Sequence, residues 1–435
     1  MASTLNSVAR GLIELPQQMR WSYLPPLMVY LAAGISGLTA IVGTFFIKDY
    51  LNLSAAFLAS LGFWAGLPWA LKMPLGHLVD LIWKHKSYMV LVGAAVIASS
   101  LLIMHGLIGH TALMATIMPV ESWFVVSVIL GPVGYVVQDV VADAMTVEAV
   151  PERNSDGTLI PPEQVKDMHT TMQTFGRFAI IGGTVLVSLI NVILFQDVDS
   201  LDETSRVELY ADIYLYALVI PLVSVAGVAL AAVQATRRSG IESTLAVGTR
   251  DRPEINWSIL LGSLVFVAFS LSIGTSDSAY AQELVFAGSV AIILFLMNRL
   301  IRLLEPNQQL TIIGTAVIVF IFRATPSPGP GLTWFEIDIL LFNEQFLSVL
   351  SLIASLLTLA GIIILRPFMA NNSIARIIVV LSIAGALLFL PSIGMYYGIH
   401  NWTAAHTGGV VDAKFIAIIN TAIESPLGQV SMIPL

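Results

Sequence analysis

The feature that most constrains this chain is a recurring apolar run of about 20 residues, the length needed to cross a hydrocarbon core about 30 Å thick. Such runs fall at roughly 24–47, 55–79, 89–108, 123–147, 178–195, 213–233, 259–273, 284–303, 310–322, 346–365, 377–396 and 408–435 of the 435 residues. In lipid every backbone N–H and C=O must find its partner within the protein, so runs of this length fold as helices. A membrane barrel would instead show short segments of alternating polarity. Only 11% of the residues are charged, against about 25% in soluble domains. The expected fold class is all-α, a polytopic transmembrane helical bundle with about twelve visible spans. The ninth run is short, and "TPSPGPG" after it breaks the helix, because proline removes donors and glycine frees the backbone.

Basic residues give the orientation. With the N-terminus inside, Arg10, Arg20, Lys84, Lys86, Arg153, Lys166, Arg177, Arg237, Arg238, Arg250, Arg252, Arg299, Arg302, Arg366 and Arg376 fall on inner loops or inner span ends. Lys48 and Arg206 fall on outer ones. That asymmetry is the positive-inside pattern and predicts an integral membrane protein with a cytoplasmic N-terminus. No basic-then-apolar signal peptide opens the chain, so insertion is expected to start at the first span. The net charge of -8 and the lack of a basic stripe exclude a nucleic-acid partner. The chain has no cysteine, which excludes thiol chemistry and disulfides. The seven histidines have no metal-ligand spacing, and no phosphate-cradling loop or nucleophile triad is present. The chain therefore reads as a non-enzyme with no cofactor and no metal.

Within this apolar chain the ionisable residues stand out. An aspartate at mid-bilayer costs about 2.5–3.5 kcal/mol on insertion scales. Residues 131–150, "GPVGYVVQDVVADAMTVEAV", place Asp139 and Asp143 one helical turn apart on one face. Two such acids are expected to face the bundle interior or a wet cavity, as substrate-binding or proton-coupling groups. Asp139 lies deeper; Asp143 is nearer the inner end, where it can pair with Lys72 or Arg177. Lys72, in "GLPWALKMPLGH", either faces the cavity or snorkels to the inner surface. Arg323 lies near the outer end of its span, beside the broken backbone, where it can serve substrate or gate, or pair with Glu336 or Asp338. Glu424 sits in the last apolar run, just before a proline, as a further substrate or coupling position. Gly76, Asp80, Lys84 and Lys86, in "PLGHLVDLIWKHKS", and Arg177 form the expected gating set. Gly76 would allow two helices to approach closely.

The six spans followed by a basic inner linker have the layout of carriers of the major facilitator type, and the loop after the second span is similar to the signature of that superfamily, with Leu81 where arginine is common. "GLPWALKMPLGHLVD", "QDVVADAMTVEAV" and "FIFRATPSPGPGLTWFEIDILLFNEQFLSVLSLIASLLTLAG" together resemble the folate–biopterin transporter family of that superfamily, in its bacterial, cyanobacterial-like branch. The first motif is shared with muropeptide permeases. The resemblance implies a secondary active transporter, proton-coupled, that moves folate, pterin-like or related organic anions. It says nothing of protein partners, and implies contact with the lipid bilayer of a bacterial plasma membrane or photosynthetic membrane. Lys72, Asp80, Asp139, Asp143 and Arg323 fall on the charged motif positions. The alternatives are a muropeptide-type or other solute permease, and a non-transporting facilitator-fold assembly protein. By this resemblance the chain divides into a six-helix bundle at 1–235, a basic cytoplasmic linker at 236–258, an extra helix pair at 259–303 and a partial C-terminal bundle at 304–435, with the last spans of the family expected to be missing.

Overall fold

The computed structural model describes residues 17–154, 158–242, 255–274, 276, 278–302, 304–325 and 328–428. Arg10, Arg250, Arg252, part of the proline-rich break and the end of the chain beyond 428 lie outside the described residues. So do the side chains of Arg237, Arg238, Arg299 and Arg366.

All named elements are helices. The first span combines α1 (Leu24–Ile35) and α2 (Ala40–Asp49), joined by the 3-10 turn Ser36–Thr39. Pro25 and Pro26 open α1, where proline's missing N–H costs nothing. Then come α3 (Ala55–Gly66) and α4 (Lys72–Leu81), separated by the 3-10 stretch Leu67–Leu71. The long helices α5 (Lys86–Gly109), α6 (Val120–Ala149) and α7 (Pro162–Leu194) follow. After them run α8 (Glu203–Tyr216) and α9 (Val219–Glu242). A pair, α10 (Trp257–Gly274) and α11 (Ala281–Ile301), precedes α12 (Pro306–Arg323) and the short α13 (Pro330–Asp338). The chain continues through α14 (Glu344–Asn371), α15 (Ile374–Leu388) and α16 (Ala413–Gly428).

Among the described residues, eight helical stretches are long and apolar enough to cross a membrane. They match eight of the twelve expected runs. The other four are also helical, in shorter or broken form. The run at 55–79 is cut into α3, the 3-10 stretch and α4, because Pro68 falls inside it. The pair α10–α11 packs together, and α12 packs on α15. The molecule is an all-α polytopic membrane bundle.

Lipid is as apolar as leucine, so close packing and polar links hold membrane helices together. The α5–α6 crossing shows the first. A Cβ added at Gly134 would lie 2.6 Å from Ile97 Cγ1 and 2.7 Å from the Gly93 carbonyl oxygen. Buried Gln138 supplies the second: its amide donates to the Val90 carbonyl (3.1 Å) and to Ser224 Oγ (2.8 Å), tying α6 to α5 and α9. α1 crosses α7 where a Cβ on Gly183 would lie 2.9 Å from Gly34 Cα. The main apolar core, with Phe45, Phe46, Leu107, Phe195 and Tyr210, also takes in Ile337 from α13.

Candidate functional site

The polar site grows from α6. One helical turn puts Asp139 and Asp143 on the same face, and that face meets the start of α4. Lys72 is the first residue of α4, set in place by the 3-10 break before it. Its Nζ lies 2.6 Å from Asp139 Oδ2 and 3.0 Å from Asp143 Oδ2. The Asp139 contact is one of charge rather than an aligned hydrogen bond, since that oxygen has no hydrogen-bond partner of good geometry. Asp139 is only 18% exposed, whereas Lys72 and Asp143 are 44% and 45% exposed. The deep acid is thus enclosed, while the lysine and the second acid border space that protein does not fill.

A third helix completes the group. The Tyr30 hydroxyl on α1 donates to Asp143 Oδ1 at 2.7 Å. Gly176 on α7 makes room for that ring: a Cβ there would lie 2.9 Å from Tyr30 Cε2. Arg177, next in sequence, acts electrostatically on Tyr30. One cation, two carboxylates and a phenol from α1, α4 and α6 therefore meet, with a guanidinium on α7 behind them.

The remaining expected positions are scattered. α7 begins fifteen residues before Arg177, at Pro162, because the polar stretch before Arg177 is itself helical. Asp143 joins Lys72 and Tyr30, and no ion pair among the described residues links Asp80 to it. Asp80 and Lys84 are exposed. Lys86 is buried at the start of α5, where Nζ lies 2.6 Å from Glu148 Oε1 and 4.1 Å from the Trp83 ring centroid. Gly76 is not a point of forced close approach, since an added Cβ would meet Val140 Cγ1 at an ordinary 4.0 Å. Arg323 is exposed on the last turn of α12, which packs on α15. Asp338, one of the two carboxylates expected beside it, lies 2.5 Å from Lys48 Nζ. Glu424 is exposed on α16, where Asn420 donates to it at 3.3 Å.

Two functional-looking residues escape a reading of the sequence. Tyr30 sits in an apolar run that any span could contain. Glu344 reads as a polar residue at a span edge, yet it is buried and accepts a hydrogen bond from the Tyr210 hydroxyl. Among the described residues no group of three or more histidine, aspartate or glutamate side chains is arranged to hold a metal.

No family model and no curated protein matches the chain. Among solved structures it is similar to a D-xylose–proton symporter, with 14% identity and a TM-score of 0.49, covering 94% of this chain and 78% of that one. It is also similar to the POT family transporter PepTSo, with 13% identity and a TM-score of 0.46, covering 95% and 82% of the two chains.

Proposed function

We propose that the protein is a proton-coupled secondary carrier of the major facilitator type, moving folate-like, pterin-like or related organic anions. The observation that carries this reading is Lys72 held between Asp139 and Asp143. One cation between two carboxylates leaves a surplus negative charge. Binding one proton makes the trio neutral, and an incoming organic anion can then take the place of one carboxylate beside Lys72. Ionisable groups within a bundle are expensive in lipid and face the interior or a cavity, and a titrating trio suits alternating exposure of one site to two sides. Tyr30 fixes the Asp143 carboxylate, and Arg177 adds positive charge for an anionic substrate. Arg323 and Glu424 take secondary roles along the substrate path, and Asp80, Lys84 and Lys86 act at the cytoplasmic gate with Gly76.

The same reading places the N-terminus in the cytoplasm and gives twelve crossings: six in 1–235, two in 259–303 and four in 304–435, with 236–258 as linker. The test is uptake of labelled folate into proteoliposomes, with and without an imposed proton gradient, for the wild type and Asp139→Asn. Gradient-driven accumulation that Asp139→Asn abolishes is the expected result. Uptake that ignores both gradient and substitution removes proton coupling, and no uptake of any organic anion removes the carrier reading.

A further inference from the structure

The end of the bundle that carries Lys48 holds a second polar system, well separated in sequence from the Lys72 trio. It centres on seven residues, 338–344, between α13 and α14. Asp338 pairs with Lys48, on the last turn of α2, at 2.5 Å. The Asn343 amide donates to Asp199 Oδ2, in the turn after α7, at 2.6 Å. Glu344 accepts from the Tyr210 hydroxyl on α8. One short stretch of the second half thus reaches three separate elements of the first.

These links differ from the apolar packing around them. Glu344 is 3% exposed, and among the described residues no ion pair includes it. A buried carboxylate held by a phenol is a poor way to gain stability, since its desolvation is costly. Directional polar links, however, can break and re-form as units, which interlocked apolar side chains do less readily. The stretch also contains Leu341 at φ 57, a left-handed conformation that a leucine rarely adopts. Leu341 is 73% exposed, so burial of its own side chain does not explain that conformation. Strain of this kind persists where surrounding contacts impose it, and it recurs at switch segments. At Leu341 the nearest such contacts close the end of α13, where the Leu340 and Phe342 N–H groups donate back to the Phe335 and Glu336 carbonyls at 3.2 and 3.0 Å, with the polar links of Asp338, Asn343 and Glu344 on either side. Asn343 serves twice, because its Oδ1 also accepts from the Phe346 N–H at 2.9 Å and caps α14.

We propose that residues 338–344 form a latch that closes the Lys48 end of the bundle, its three links to Lys48, Asp199 and Tyr210 breaking together when the two halves part there. The latch rests on the two-state carrier reading. In the state described here the three links are made.

The absence of cysteine allows a direct test. Spin labels on Gln196→Cys, in the first half, and Ile339→Cys, on the latch itself, both exposed positions, report the separation of the halves in nanodiscs without any substrate. The unmodified latch is expected to give one dominant short distance. Asp338→Asn, which removes the charge facing Lys48, and Tyr210→Phe, which removes the donor to Glu344, are each expected to raise the long-distance population about five-fold, the effect of losing one net hydrogen bond or ion-pair link. Exchanging the charges, Lys48→Asp with Asp338→Lys, is expected to restore the short distance, which separates the link itself from general damage. Distance distributions unchanged by Asp338→Asn and Tyr210→Phe in proteins that melt as the parent does overturn the latch. Because the readout needs no transport, that failure is distinct from failure of the carrier reading, which uptake alone decides.

Discussion

Asp139 and Asp143 are intelligible only with Lys72, and Lys72 only with both of them. Removing the lysine leaves two carboxylates side by side without the cation that pairs with both. For a fully buried pair that change costs about 3–5 kcal/mol; with Lys72 44% exposed, Lys72→Met is expected to cost ~2 kcal/mol. Adding Asp139→Asn to Lys72→Met is expected to recover part of that loss, since the surplus charge falls. Thermal unfolding in detergent of the two single variants and the double variant checks this, and purely additive effects would mean that the contact carries no coupling. Tyr30→Phe removes only the donor to Asp143, with an expected cost of about 1 kcal/mol in the same assay. The acids and the lysine were legible in the sequence because charge in an apolar run is conspicuous. Tyr30 was not, because a tyrosine in a span looks like any other aromatic until its hydroxyl is seen to meet a carboxylate. Glu344 was hidden for a related reason: at a span edge, exposed and buried glutamates read alike.

At the scale of helices, the apolar runs located the eight helices long and apolar enough to cross a membrane, but hydrophobicity could not say where a helix bends or which glycines matter. Pro68 divides the second run and brings Lys72 to the start of a new helix, so the break itself sets the site. The polar residues before Arg177 looked like loop, yet they form the first part of α7, because a helix that leaves the membrane keeps its hydrogen bonds in water. Glycines separate the two cases most sharply. Gly76 belongs to the recognisable loop pattern, and the structure leaves room there for a methyl group. Gly134 belongs to no pattern, and a Cβ there would lie 2.6 Å from Ile97 Cγ1. Gly134→Ala is therefore expected to destabilise the α5–α6 crossing by about 1–3 kcal/mol, whereas Gly76→Ala is expected to be close to neutral. Melting temperatures of the two alanine variants, measured side by side, test the assignment. An equal loss in both would show that the α5–α6 contact is not the tighter one.

For the whole molecule, the question is whether the two halves move as units. α14 packs along α7, and at that interface Ser188 Oγ and Ser351 Oγ lie 2.8 Å apart. In lipid the hydrophobic effect does not drive helices together, so their association rests on packing and polar contacts. The interface is therefore held by close fit and a few polar contacts, which is what a two-state assembly requires. Ser188→Cys with Ser351→Cys places two thiols at a contact that closes in the described state, on a chain that has no other cysteine. Oxidation is expected to join them and to reduce labelled-folate uptake to background, with reduction restoring it. Each single variant, treated alike, is expected to retain uptake, which excludes damage from the oxidant. A joined protein that transports as fast as the reduced one would mean that α7 and α14 stay together throughout the cycle, and the movement would then have to lie elsewhere, in the pair α10–α11 or in α12 against α15.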